Sequence, residues 1–234
     1  MRRYGEGHHS RYAHVRDGRR IDVVEQKKIE GAEQLMTPAN IVTLLRIVCI
    51  PVFVLAIVGP WENWIPAWSD AATWKPWISA AVFLILCVTD TLDGYLARSR
   101  GEVTDLGKFM DPLADKILVA AALLALIELD VLPSWCAMII LAREFIVSGI
   151  RMVAASKNVV IAASWYGKAK TVFQMLAILL FIVKDSPLIS ANLPISANQL
   201  YVFSWFIMSI ALILTIFSML DYFVKAKELL GFRK

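Results

Sequence analysis

Six long apolar runs separated by polar punctuation recur between residues 41 and 224, and they leave little choice of architecture. They read Ile41–Val58, Trp77–Leu96, Lys108–Leu129, Trp135–Ala155, Trp165–Val183 and Leu200–Val224. A helix that crosses the hydrocarbon core needs about 20 mostly apolar residues. Helices are the expected spanning form, because every backbone N–H and C=O must find its partner within the segment. The hydrophobic share, 58%, also exceeds the roughly 45–50% of soluble chains. The expected fold is therefore an all-α membrane protein with six transmembrane helices formed by residues 37–234. Residues 1–36 read as a hydrophilic cytosolic tail, which carries eight Lys and Arg and lacks the apolar stretch of about 7–15 residues that a secretory signal needs.

The basic residues set the expected orientation. With a cytosolic N-terminus, Gly59–Pro76, Asp130–Ser134 and Lys184–Gln199 face the far side. Of the 24 Lys and Arg, only Lys75 and Lys184 fall there, the positive-inside pattern for an even number of spans. Trp61, Trp64, Trp68, Trp74 and Trp77 crowd the first far-side connection, as an interfacial belt would. The expected location is the cytoplasmic membrane, with both termini and the active site on the cytoplasmic side. The net charge of +4 thus speaks for topology; the basic residues are not interleaved into a nucleic-acid reading surface. Cys49, Cys87 and Cys136 sit inside apolar runs without zinc-site spacing or a disulfide framework.

Three of the runs are too short unless their polar ends count as helix. Those ends are Thr89–Arg98, Lys108–Lys116 and Trp165–Thr171, all on the cytoplasmic side of the expected topology. Ionisable residues at membrane depth face a bundle interior or a water-filled cavity. A polar cavity open to the cytoplasm, built from several helices, follows. The sixth run, rich in Met, Phe and Leu, reads as lipid-facing or packing surface without a chemical signal.

The cavity's densest constellation lies across the second connection. Asp90 and Asp93 are three residues apart, and Asp111 and Asp115 four apart, so each pair shares a helix face. A tight turn around Gly101 sets the two faces opposite each other. Four carboxylates at one place repel strongly at low dielectric, and stay ionised together when cations sit between them. An all-oxygen set without His or Cys favours Mg²⁺ or Mn²⁺ over zinc. Gly94 and Ala97 share the face of Asp93 and let a ligand approach the backbone, and Arg98 is placed for a phosphate oxygen.

Asp90-x2-Asp93-Gly94-x2-Ala97-Arg98-x8-Gly107-x3-Asp111-x3-Asp115 matches the signature of the CDP-alcohol phosphotransferases, and the resemblance extends over about Thr37 to Phe223. It implies a six-helix membrane fold, a homodimer and two metal ions. It also implies that Asp90, Asp93 and Asp111 ligate metal, and that Asp115 helps hold the second ion and acts as the base. Asn40, Asp93, Gly94, Ala97 and Arg98 would form the CDP-diacylglycerol site. A second group is similar to the phosphatidylglycerophosphate synthase branch: Ala142-Arg143-Glu144, Trp165-Tyr166-Gly167-Lys168-Ala169-Lys170-Thr171, and Thr37-Pro38-Ala39-Asn40 followed by Arg46.

Residue chemistry points the same way. Arg143, Arg151, Lys168 and Lys170 read as four cations with few nearby acids, which suits a dianionic phosphate on the acceptor. Glycerol 3-phosphate carries such a group, and serine and free inositol do not. The expected reaction joins CDP-diacylglycerol, arriving from the membrane lipid, to sn-glycerol 3-phosphate. Two other readings are a sister enzyme using inositol phosphate or phosphatidylglycerol, and a divalent-cation transporter. A transporter has no need of Gly94, Ala97 and Arg98 at fixed offsets.

Overall fold

The computed structural model describes residues 38–61, 70–100, 105–157, 164–192, 194 and 196–229. The side chains of residues 38–40, 90–100, 105–109, 111, 190, 228 and 229 are outside that description, as is the tail of residues 1–36. The helices are α1 (Pro38–Val58), α2 (Ala71–Arg100), α3 (Asp105–Glu128), α4 (Ser134–Ser156), α5 (Trp165–Val183), α6 (Pro187–Asn192) and α7 (Ala197–Leu229). No strand occurs among the described residues.

Six of these helices coincide with the six apolar runs. Four segments are long and apolar enough to cross a membrane: Ile41–Val58, Ala71–Thr89, Trp165–Val183 and Ala197–Lys227. The other two helices, α3 and α4, carry Lys116 and Asp115, and Arg143, Glu144 and Arg151, within their lengths. The three polar ends are helical in the backbone: α2 continues to Arg100, α3 begins at Asp105 and α5 begins at Trp165.

Two expectations for the far-side connections are corrected. Residues 71–76 begin α2, with Pro76 inside the helix. A proline near a helix start forgoes one backbone bond, and the rest of the helix carries it. The connection after α5 also contains a short helix, Pro187–Asn192, whose opening proline suits a first helical turn. There Trp77 Nε1 donates to Ser186 Oγ at 2.7 Å, tying the start of α2 to the end of α5. The α3–α4 link is tight: Asp130 takes a positive φ of 56°, and Val131 N–H bonds back to the Leu126 carbonyl at 3.0 Å.

The most extensive packing is between α5 and α7; α1 lies against both α2 and α3, and α5 also touches α2 and α3. Phe53, Phe83, Leu123, Leu126, Ile178 and Met208 form the centre of the apolar core. Outward, the surface is apolar: Met138 is 70% exposed and Phe206 61%, whereas Lys170 is 1% and Arg143 7%. That inversion of the soluble pattern fits a molecule solvated by lipid. Hydroxyls within the helices bond their own backbone, as Thr215 does to Ala211 O at 2.6 Å and Ser204 to Leu200 O at 2.7 Å.

Candidate active site

The signature residues belong to two consecutive helices. Asp90, Asp93, Gly94, Ala97 and Arg98 lie on the final turns of α2, and Gly107, Asp111 and Asp115 on the opening turns of α3. These helices pack against each other, and four residues, 101–104, separate them. Asn40 lies in the first turn of α1. The side chains of Asn40, Asp90, Asp93, Gly94, Ala97, Arg98 and Asp111 are outside the described residues, as is the expected turn at Gly101. Asp115 is described: it is half-buried, and its charge acts on the Lys170 ammonium across from α3 to α5.

The second group is described in detail. Arg143 on α4 donates through Nη1 to Glu144 Oε1 at 3.2 Å and through Nη2 to Ser218 Oγ on α7 at 2.6 Å. Its Nε is buried without a partner among the described residues. Lys170 forms an ion pair with the same Glu144 oxygen. Gln174, one turn further along α5, is buried too, and its Oε1 has no described partner. Arg151, two turns beyond Arg143, donates to the Tyr222 hydroxyl of α7 and stands 5.0 Å from the centroid of that ring. Arg143 stands 5.9 Å from the same centroid. Lys168 is exposed.

The start of α5 explains how the group fits together. Ser164, extended at φ −74° and ψ 152°, caps the helix by accepting from Gly167 N–H. Its Oγ is 3.4 Å from Ser218 Oγ. A Cβ on Gly167 would lie 3.2 Å from Arg143 Nη2 and 3.3 Å from Ser218 Oγ, so a hydrogen in place of a side chain makes room for the guanidinium.

The structure therefore brings Arg143, Glu144 and Lys170 together, sets the exposed Arg151 beside Tyr222, and leaves Lys168 on the exposed side of the first turn of α5. The expectation of few nearby acids is corrected at Glu144, whose carboxylate neutralises part of the cluster. Two residues of the site were missed by sequence reasoning, Ser218 and Tyr222, because the sixth run was read as packing surface. A signal was present: Ala211, Thr215, Ser218, Tyr222 and Ala226 recur at helical spacing, a small and polar stripe in an otherwise bulky helix, and all are buried.

Comparison with known proteins decides the family. Residues 36–217 match the family model for CDP-alcohol phosphatidyltransferase. The chain belongs to the CDP-alcohol phosphatidyltransferase family. It is similar to a CDP-diacylglycerol–glycerol-3-phosphate 3-phosphatidyltransferase of Bacillus subtilis, 36% identical over 82% of this chain and 95% of the relative. It is 39% identical to a probable phosphatidylglycerophosphate synthase of Mycobacterium tuberculosis, over 88% of this chain and 90% of that one. An Escherichia coli CDP-diacylglycerol–glycerol-3-phosphate 3-phosphatidyltransferase is 34% identical over 80% and 93%. Family membership and the apolar helices make the chain an integral membrane transferase. The family match ends one residue before Ser218.

The donor set also fits the divalent ions general to this family. Four carboxylates on two packed helices are an all-oxygen set of the kind Mg²⁺ and Mn²⁺ take. No three candidate ligands converge among the described residues, and three of the four aspartate side chains fall outside them.

Proposed function

We propose that the chain transfers the phosphatidyl group from CDP-diacylglycerol to sn-glycerol 3-phosphate, giving phosphatidylglycerol phosphate and CMP. The observation that carries this is the buried Arg143–Glu144–Lys170 network, in a chain whose relatives are named for that reaction. Arg143, Arg151 and Lys170 outnumber Glu144, and this positive surplus suits an anionic phosphomonoester. Lys168, exposed at the rim, would meet the acceptor on entry.

Asp90, Asp93, Asp111 and Asp115 would hold two divalent ions, Mg²⁺ or Mn²⁺. Bound there, the ions supply charge neutralisation for the diphosphate and the departing CMP. Asn40, Gly94, Ala97 and Arg98 would seat the CDP portion. Asp115 takes the proton from the acceptor hydroxyl as its oxygen attacks the phosphorus on the lipid side. The new P–O bond forms to the acceptor, the bond to CMP breaks, and the proton rests on Asp115. Arg143 and Lys170 hold the acceptor's phosphate so that its hydroxyl faces that carboxylate. Six spans, a cavity open to the cytoplasm, a cytosolic tail of residues 1–36 and a homodimer complete the reading. The positive-inside charge pattern supports the orientation.

The test is CMP release by purified protein given CDP-diacylglycerol and, separately, glycerol 3-phosphate, inositol phosphate, phosphatidylglycerol and glycerol. Glycerol 3-phosphate should be used best, EDTA should abolish the reaction and Mg²⁺ or Mn²⁺ should restore it. Asp115→Asn should lower the rate by roughly 10²–10⁴-fold, as loss of a general base does. Preference for another alcohol would move the chain to a sister activity, and no CMP with any alcohol would end the transferase reading.

A further inference from the structure

Tyr222 and Ser218 lie four residues apart on α7, past the segment that matches the family model, and both touch the arginines of α4. Tyr222 is 1% exposed and Ser218 is fully buried. The phenol accepts a hydrogen bond from Arg151, and its ring lies 5.0 Å from that guanidinium carbon and 5.9 Å from that of Arg143. Ser218 receives Arg143 Nη2 at 2.6 Å. The two arginines are therefore gathered at one side chain of a neighbouring helix. Arg143 is buried and Arg151 exposed; like charges brought this close repel, and each guanidinium loses rotamer freedom when ordered. An aromatic ring within reach of both cations offsets part of that repulsion, at about 0.5–2 kcal/mol per contact in general. The hydroxyls fix which way each guanidinium faces. Val147 and Ala154 of α4 and Ala226 of α7 close around the ring, so it has little freedom to move away.

We propose that Tyr222 and Ser218 are positioning residues for the acceptor: they hold Arg143 and Arg151 together as one receptor for the phosphate of the incoming alcohol. The proposal rests on the acceptor site assigned above. It gives α7 a part in substrate selection. Neither residue touches substrate, and both act through the arginines. Ser218 acts on one arginine and Tyr222 on both, so the two substitutions differ in reach.

Steady-state kinetics on the purified full-length protein, varying each substrate separately, test this. The acceptor used is whichever alcohol gives CMP release with the unaltered protein. Tyr222→Phe keeps the ring and removes the hydroxyl; it should raise the acceptor KM on the order of three- to tenfold, as loss of one charge-assisted hydrogen bond would. Tyr222→Leu also removes the aromatic face and should raise it further, to roughly tenfold or more. Ser218→Ala should raise it modestly and Ser218→Thr should recover much of the loss. In each variant the KM for CDP-diacylglycerol should stay within about twofold, since a structural collapse would move both constants. An unchanged acceptor KM in Tyr222→Phe and Ser218→Ala, or equal rises for both substrates, overturns the proposal. If Tyr222→Leu does not fold, those two variants decide alone. Should the unaltered protein prefer an alcohol without a phosphate, the acceptor assignment fails; the positioning role then stands or falls on whether these variants alter the KM of that alcohol.

Discussion

Gly167 illustrates how much one missing side chain can carry. The hydrogen at this position leaves Arg143 room to reach Ser218, and any Cβ would press on the guanidinium at 3.2 Å. Alanine favours a helix over glycine by up to about 1 kcal/mol. Gly167→Ala should therefore leave the detergent-solubilised protein as thermally stable as before, while raising the acceptor KM by several-fold. Differential scanning fluorimetry beside steady-state kinetics checks this; a large fall in Tm with unchanged kinetics would mean that the glycine serves packing instead. At this scale, the spacing of the aspartates predicts that each pair lies on a helix, and the backbone of α2 and α3 agrees, while the side chains of Asp90, Asp93 and Asp111 lie outside the described residues. The sequence made Arg143 and Lys170 legible through charge at membrane depth. Glu144 was visible, but its pairing with Lys170, 26 residues away, depends on how α4 meets α5. Ser218 and Tyr222 were hidden for the same reason: no local pattern says which neighbour a helix face will meet.

The fifth helix divides its buried face into two parts. Lys170 and Gln174 sit at its polar end, and Ala177, Ile178, Phe181 and Ile182 continue the same face into the apolar core. This helix thus anchors the bundle and supplies the site, which allows its two roles to be separated by mutation. Removing one partner of a buried ion pair typically destabilises by about 3–5 kcal/mol, whereas replacing both is often neutral. Lys170→Met alone should lower Tm markedly. Lys170→Met combined with Glu144→Gln should recover most of the stability and none of the turnover of glycerol 3-phosphate. Recovery of both would place Lys170 outside the acceptor site. Helix boundaries were the most legible part of the fold: the fifth run, Trp165–Val183, coincides with its helix, and the first ends at Val58 as its helix does. The start of α2 was missed because Pro76 looks like a boundary in sequence, though within a long packed helix it forgoes only one bond.

Across the whole molecule, apolar surface faces outward, and the buried charges among the described residues are Arg46 of α1, Arg143 near the middle of α4 and Lys170 in the second turn of α5. The orientation proposed from Lys and Arg placement can be read with reporters. Green fluorescent protein fused after Lys234 should fluoresce and alkaline phosphatase at the same point should be inactive; alkaline phosphatase inserted in residues 59–70 should be active. The opposite pattern would invert the topology and place the aspartates on the wrong side for a cytosolic acceptor. That six runs form six long helices was plain from hydropathy, yet α3 and α4 carry enough charge that apolarity alone does not mark them as spans.

The residues assigned to the nucleotide and metals come from α1, α2 and α3, and those assigned to the alcohol come from α4, α5 and α7, with α3 packing against both α4 and α5 where the two halves meet. Such a division makes the fold evolvable. Substitutions on the later helices can trade one alcohol for another while the reacting machinery stays intact, so new headgroups are within reach of a few changes in the second half of the chain and a new chemistry is not.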